Sequence, residues 1–501
     1  MLAAFTNIFK IPELRQRVLF TLAMIVIARI GAAITTPGVD AGVLGQYFAD
    51  TVNNQAGGSV AALFNMFSGG ALANCAIFAL GVMPYITASI ILQLMTAVVP
   101  RLGKLSREDG GRQKINQYTR FLTLGLCLFQ GYLLALSFEN PGANPFLSGI
   151  TNTIEELGRP LVSHPGMGFR LLTVITLASG TMLLMWLGDQ ITDRGIGNGI
   201  SLIITIGIVA QLPAALIQAW KTFIPTAGDP SQINPAILVL MVAFLFLVIA
   251  AVIAVTQAQR RISIQYAKRV VGRKVYGGQT QYMPLKVNYA GVMPIIFAQA
   301  LLLFPSTIVG MIFPDNRTAS EIANLLATGW LHYVVYGFMI FFFSYFWVAT
   351  QFQPAQIADD LKKHGGFIPG VRPGKPTADF LDYTMTRLTF AGAIFLTIIA
   401  VLPELLARQM GVPYITAQFF GGTGLLIIVG VILDTMRQIE THLLQKHYDG
   451  FLRKGKLRGR FERPSPSSGN LASPETLVWL YVGIAVLVIA GVAIAFSQGW
   501  N

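Results

Sequence analysis

The chain has 501 residues, and only 12% of them are charged, half of the ~25% found in soluble globular proteins. Hydrophobic residues make up 53%, and phenylalanine alone occurs 33 times, a composition that excludes intrinsic disorder and disfavours a series of soluble domains. The 36 lysines and arginines outnumber the 23 acidic residues and give a formal net charge of +13, confined to a few stretches. This composition indicates a polytopic membrane protein.

Apolar runs close to the ~20 residues that a helix needs to cross the hydrocarbon occur eleven times. They lie near residues 18–36, 73–99, 121–138, 171–188, 200–219, 235–256, 289–312, 331–352, 388–406, 417–435 and 477–497. The first resembles a signal peptide, but its length and the ten further runs favour a retained helix.

The distribution of basic residues predicts the orientation. With the N-terminus in the cytoplasm, 30 of the 36 lysines and arginines lie on the cytoplasmic side. The C-terminus then lies in the periplasm if the eleventh run spans. This cytoplasmic positive charge suggests an acidic partner or anionic lipid head groups.

The residues that usually carry catalysis, metal binding or proton transport are not arranged for it. Phosphate-binding and hydrolase motifs are absent, the five histidines are scattered, and Cys75 and Cys127 lie in predicted spans. We therefore expect no catalytic residues, no metal and no cofactor. Arg29 is the one charge well inside a span, where it could be functional, snorkel, or pair with a helix-end carboxylate such as Asp434.

A short repeat relates two halves of the chain. The tetrapeptide Gly-Val-Met-Pro begins at Gly81 and again at Gly291, and an isoleucine, Ile86 or Ile296, follows each glycine five residues later. Two further glycine–isoleucine pairs with this spacing occur at 199/204 and 422/427. The five spans in each half predict an inverted repeat, although chance similarity of apolar helices is the alternative.

The repeat sets the predicted domains. We expect an N-terminal half at 1–222, a C-terminal half at 223–463, and a Pro/Ser-rich linker with an extra helix at 464–501. Residues 58–72, GSVAALFNMFSGGAL, are too short and too rich in glycine to span the membrane. They predict either a re-entrant plug or an external loop, because non-helical backbone at membrane depth must be enclosed by protein or line a cavity.

Several long stretches resemble the bacterial SecY family. They are NMFSGGAL (65–72), IFALGVMPYITASIILQLM (77–95), MWLGDQITDRGIGNGIS (185–201), QRRISIQYAKR (259–269), MPLKVNYAGVMPIIFA (283–298), DDLKKHGGFIPGVRPGKPT (359–377) and FFGGTGLLIIVGVILD (419–434). The resemblance covers about residues 10–460, in the family's order. It does not cover the eleventh run, which departs from the family's ten spans.

The resemblance implies an all-α channel of two inverted five-helix halves around a central hourglass pore. It implies a pore ring at Val82, Ile86, Ile200, Ile204, Ile296 and Ile427. It implies a plug at about 60–72 that includes Phe64, Asn65, Met66, Phe67, Ser68, Gly69 and Gly70. A lateral gate between spans 2–3 and 7–8 would contain Thr87, Gln130 and Asn288.

The resemblance also implies a function and partners. The chain would conduct unfolded secretory polypeptides across the bacterial inner membrane and release transmembrane segments laterally, with energy from the SecA ATPase or the translating ribosome. Loops 257–288 and 353–387 would dock those partners through Arg260, Arg261, Lys268, Arg269 and Arg372. SecE and SecG would complete a heterotrimer, preproteins with signal peptides would be substrates, and SecDF and YidC would be further partners.

Two other classes of protein are alternatives. A secondary transporter for a small solute can also be built from inverted repeats and broken helices, but it predicts a polar site at mid-membrane, where this sequence has apolar residues. An intramembrane enzyme needs nucleophiles or paired acids within the spans.

Overall fold

The structure is a computed structural model, and it describes residues 12–53, 60–105, 108, 110–141, 147, 150–223, 235–266, 269–271, 274–276, 280–312, 330–409, 419 and 423–453. Its N-terminal helices are α1 (Pro12–Gly31), α2 (Ala41–Asn53), α3 (Val60–Phe67), α4 (Met83–Val98), α5 (Pro100–Leu105), α6 (Gly111–Glu139), α7 (Ile150–Leu157), α8 (Met167–Arg194), α9 (Gly199–Ala210) and α10 (Leu212–Phe223). The later helices are α11 (Pro235–Gln257), α12 (Met293–Ile312), α13 (Trp330–Gln351), α14 (Pro354–Lys363), α15 (Lys375–Gln409) and α16 (Thr423–Arg453).

The predominantly helical membrane fold predicted from composition is confirmed. Within the described residues, six helices are long and apolar enough to cross a membrane, and α4 and the first half of α12 are shorter apolar helices. The predicted eleventh span and its linker, 464–501, lie outside the described residues.

The prediction of one continuous span at 73–99 is wrong in its first half. Residues 68–82 form successive turns, and α4 begins only at Met83, with Pro84 in its first turn. Glycines 69, 70 and 81 and also Cys75 adopt positive φ, which a right-handed helix does not accommodate. Hydropathy alone does not reveal this break, because the turn residues are as apolar as helical ones.

The turn backbone at 68–82 satisfies its polar groups within the protein. The N–H of Ala73 donates to the side-chain Oδ1 of Asn65 at 2.9 Å, and the N–H of Ile77 donates to the carbonyl oxygen of Ile34 at 2.9 Å. The N–H of Thr36 in turn donates to the carbonyl oxygen of Cys75 at 2.7 Å. Non-helical backbone is tolerated at membrane depth only when its groups find such partners.

The two Gly-Val-Met-Pro segments adopt the same local structure. Gly81 and Gly291 have φ of 59° and 64°, and helices α4 and α12 both begin at the methionine that follows two residues later. Ile86 and Ile296 each donate a main-chain hydrogen bond to the residue four positions earlier, at 3.1 and 3.3 Å. The repeat seen in the sequence is therefore also a repeat of conformation.

The helices pack into one large apolar core that joins both parts of the chain. Helix α6 packs on α4 and α8, and α13 packs on α12 and α15. Contacts between the two parts run from α12 to α3, α4 and α6, and from α9 to α16. Most core residues on these helices belong to one large cluster, and smaller clusters lie beside it.

Loops 257–288 and 353–387 contain strands that the sequence did not predict. Strand β1 (Gln259–Tyr266) pairs antiparallel with β4 (Thr280–Lys286), and β5 (Gly366–Phe367) pairs with the other edge of β1. Strands β2 (Arg269–Val271) and β3 (Lys274–Tyr276) form a separate hairpin. The two loops therefore form a single three-stranded sheet beyond the ends of the helices.

Candidate functional site

Four of the six predicted ring residues are buried in the same large apolar cluster. Ile86 on α4, Ile204 on α9, Ile296 on α12 and Ile427 on α16 are each at most 5% exposed and belong to the same apolar cluster. Two of these helices precede residue 223 and two follow it, so each part of the chain contributes one pair.

The other two predicted ring residues lie at the border of this cluster. Val82 belongs to a second buried cluster formed with residues of α1 and α8, and it stands directly before α4 as its N-cap. Ile200 is partly buried and packs against both clusters. Ile200 and Ile204 lie one turn apart on α9, so this helix contributes to both clusters.

The predicted plug is a short helix, α3, followed by a turn. Phe64, Met66 and Phe67 are buried in the same cluster as the four isoleucines. The turn closes with main-chain hydrogen bonds from Gly69 to Met66 at 3.1 Å and from Gly70 to Asn65 at 2.9 Å. The segment is therefore packed into the apolar core, unlike an external loop, and its role as a plug stays a prediction.

Two polar side chains from other elements bind the main chain of this segment. Nη1 of Arg29 on α1 donates to the carbonyl oxygen of Gly69 at 2.9 Å. Nε2 of Gln211, between α9 and α10, donates to the carbonyl oxygen of Asn65 at 2.9 Å. The contact that the structure shows for Arg29 is with this segment, a partner not predicted from the sequence. The sequence marked Arg29 by its isolated charge but gave no signal for Gln211.

A cavity of ≈ 30 Å³ lies beside this contact. Arg29 lines it together with Phe67 and Ser68 of the plug segment, Val82 at the start of α4, and Gly207 on α9. The cavity thus lies at the junction of α1, α9, the plug segment and the second apolar cluster.

The three polar residues predicted for a lateral gate make local contacts or none. The hydroxyl of Thr87 donates to the carbonyl oxygen of Met83 in its own helix at 3.1 Å. Nδ2 of Asn288 donates to the carbonyl oxygen of Gly291 at 3.0 Å, which caps the turn before α12. The side-chain oxygen of Gln130 is buried without a hydrogen-bond partner. Thr87 and Asn288 therefore form these hydrogen bonds within their own segments.

Three of the predicted partner-binding arginines are exposed in the two long loops. Arg260 and Arg261 are exposed at the start of β1, and Arg372 is exposed in the turn before α15. Lys268 lies outside the described residues, and Arg269 is described only as the first residue of β2. Partial burial, together with the neighbouring charge of Arg437, lowers the pKa of Lys286 at the end of β4, while Asp434 opposes that shift.

The described residues hold no group of three or more histidine, cysteine, aspartate or glutamate side chains that could bind a metal. Cys75 and Cys127 are both buried as free thiols. The described core is a large apolar cluster shared by helices from both parts of the chain, with the short helix α3 packed into it. This arrangement agrees with a helical membrane channel.

Comparisons with known proteins agree with this class. The SecY family model matches residues 76–436. The protein translocase subunit SecY of Chlamydia trachomatis is 43% identical over 92% of this chain and all of that protein, and that of Aquifex aeolicus is 45% identical over 89% and 98%. The chain belongs to the SecY family.

Solved channel structures share the fold. A protein-conducting channel aligns with a TM-score of 0.58 at 18% identity, covering 88% of this chain and 95% of that one. Sec61 in the canine ribosome–channel complex from the endoplasmic reticulum aligns with a TM-score of 0.55 at 17% identity, covering 88% and 95%. The chain is the protein-conducting channel of the Sec translocase, and the solute-transporter alternative is not favoured.

Proposed function

We propose that unfolded polypeptides pass between Ile86, Ile204, Ile296 and Ile427, and that the segment around α3 is the plug that closes this passage at rest. The observation that carries the proposal is that four different helices, two from each part of the chain, bring these buried isoleucines into one cluster. Separation of the two parts would open the ring from both sides at once.

The chemistry of the ring suits this task. A narrow apolar constriction resists wetting and therefore resists ions. Isoleucine side chains have no hydrogen bonds to offer, so they do not select among the side chains of a passing chain. In the resting state Phe64 and Phe67 of the plug fill the same apolar cluster.

Lateral release would take place where α12 meets α4 and α6. Thr87 and Asn288 keep their hydrogen bonds within their own segments, so parting these helices leaves those bonds intact. The buried oxygen of Gln130 has no partner to lose and would gain one on contact with water or a polar group. A signal peptide entering here would displace mainly apolar packing, for which its own apolar core substitutes.

The energy source and the partners are assigned by analogy and by surface chemistry. We assign the sheet with Arg260, Arg261 and Arg372 as the docking surface for SecA or the ribosome, because these guanidinium groups are exposed in the two long loops. Sec61 and yeast Ssh1, two structural relatives, were solved in complexes with ribosomes. The proposal also includes SecE and SecG as fellow subunits, SecDF and YidC as further partners, and anionic lipids. It places the protein in the inner membrane.

The test places a photo-crosslinking amino acid at Ile427 and, separately, at Ile86. A secretory preprotein is stalled in transit with purified SecA and ATP and then irradiated. We expect crosslinks to the preprotein from both positions and only when it is stalled. The matched control is Ile432 on the same helix, which is 52% exposed and should crosslink to lipid or a neighbouring subunit. Crosslinks from Ile432 but not from Ile427 would place the pathway elsewhere.

A further inference from the structure

The plug segment is held by contacts at both ends of its closing turn. Arg29 binds the carbonyl oxygen of Gly69, and Gln211 binds that of Asn65, each at 2.9 Å. The two donors come from different elements, α1 and the junction between α9 and α10. Both acceptors are main-chain oxygens, so the contacts depend on the position of the plug and not on its side chains.

The location of Arg29 makes its hydrogen bond to Gly69 important for the position of the plug. It is the third residue from the end of α1, it is partly buried, and it lines the cavity beside Ser68 and Gly207. A guanidinium group at such a position needs an acceptor, because an unpaired buried charge is costly. Movement of the plug away from α1 removes the Gly69 carbonyl and leaves that charge facing the cavity.

Gln211 links the plug segment to α9, one of the four helices of the proposed ring. Helix α9 presents Ile204 to the central cluster, and Gln211 follows its last residue and reaches Asn65. The carbonyl oxygen of Asn65 also accepts from the N–H of Gly70 and the hydroxyl of Ser68, so it is the centre of the turn. The ring helix and the plug turn are thereby linked through one side chain.

We propose that Arg29 and Gln211 form a two-point latch that holds the plug in its closed position, an inference that rests on the proposed role of residues 60–72 as the plug. Each donor stabilises only the closed position, so loss of either favours the open one. A hydrogen bond from a charged donor to a buried acceptor corresponds to a change of about tenfold in the ratio of open to closed states.

The test measures the resting halide leak of the assembled channel in proteoliposomes. Arg29→Met and Gln211→Leu remove one donor each, and we expect each to raise the leak about tenfold or less and the double variant to raise it further. Arg29→Lys keeps a charge and one donor and should give a smaller increase. Arg159→Met, an exposed arginine outside α1, is the matched control and should not change the leak.

Deletion of residues 60–72 separates the latch from a general effect on folding. A latch acts only through the plug, so Arg29→Met should have no further effect on the leak of the deletion variant. An equal increase in both backgrounds, or no increase in the intact channel, overturns the latch while leaving the plug assignment standing. A deletion that causes no leak of its own overturns the plug assignment and the latch with it.

Discussion

Gly69 of the plug turn and Gly207 of α9 touch through their backbones. A Cβ built on Gly207 would lie 3.2 Å from the Cα of Gly69, and one built on Gly69 would lie 2.7 Å from the Cα of Gly207. Gly69 also has a φ of 70°, which disfavours any other residue there. The plug segment therefore rests on α9 at a point where a methyl group on Gly69 would clash and one on Gly207 would force the neighbouring backbone to shift.

Gly207→Ala should weaken the closed plug without weakening the fold. Alanine is favoured over glycine within a helix by about 1 kcal/mol, but its methyl group presses on Gly69. We expect the resting halide leak to rise several-fold while thermal stability stays constant or increases. Gly125→Ala is the control, since no heavy atom lies within 4 Å of its added methyl group. Equal leaks from the two variants would contradict this contact.

A polar side chain in the ring should let water and ions through. Ile204→Asn introduces an amide into a cluster whose resistance to ions depends on its apolar surface. We expect the resting ion leak to increase at least tenfold in the same liposome assay. Val209→Asn, five residues further along α9 at a side chain that is 40% exposed, should leave the leak unchanged. If both variants leak alike, Ile204 does not line the constriction.

The turn before α9 depends on a hydroxyl from α1. The buried N–H of Ile196 donates to Oγ1 of Thr21 at 3.1 Å. Thr21→Val keeps the shape but leaves that N–H unpaired, so we expect a loss of about 1–3 kcal/mol in the free energy of unfolding, measured by SDS titration in mixed micelles. Thr21→Ser retains the hydroxyl and should lose less. A valine variant as stable as the serine variant would show that the bond contributes nothing.

Two ion pairs in the chain should differ in their contribution to stability. Glu139 is 3% exposed and binds Nε of Arg170 at 2.7 Å, whereas Arg120 and Asp189 are 52% and 30% exposed. Arg170→Met leaves a buried carboxylate with the N–H of Gly166 as its remaining described donor, so we expect a larger loss in the free energy of unfolding than for the exposed pair.

Arg120→Met serves as the exposed counterpart of that variant and should lose less than about 1 kcal/mol, because an exposed pair is screened by water. The same SDS titration measures both losses. The reverse order would mean that burial does not govern the strength of these pairs.

Charge reversal in the loop that we propose as a docking surface should impair transport without opening the channel. Arg372→Glu places a negative charge in the exposed turn before α15, and we expect the rate of SecA-driven preprotein import into vesicles to fall about tenfold. Lys363→Glu on α14 is the control, an exposed lysine 3.8 Å from Asp360 in the same loop. A resting leak that rises together with the loss of import would indicate damage to the pore and not to docking.

The sequence predicted the helical membrane fold and the repeat at Gly81 and Gly291 because these depend on hydropathy and on residue types at fixed spacing, while the ring stays a prediction. It missed the turns at 68–82, since they are as apolar as a helix and their hydrogen bonds reach Ile34 and the Asn65 side chain, far along the chain or across a turn. It also missed Gln211, because nothing in its neighbourhood marks a contact with Asn65, 146 positions away. Contacts of that kind become visible only when the chain is folded.

The pairing of β1 with β5 gives the channel a mechanical linkage. One strand connects α11 towards α12, and the other lies between α14 and α15, so the sheet joins elements that all follow residue 223. A load applied to either loop is therefore transmitted to both, and first to the helices that flank them. One of these is α12, which carries Ile296, so a load on the sheet would act on α12 where it packs against α4, the helix that carries Ile86.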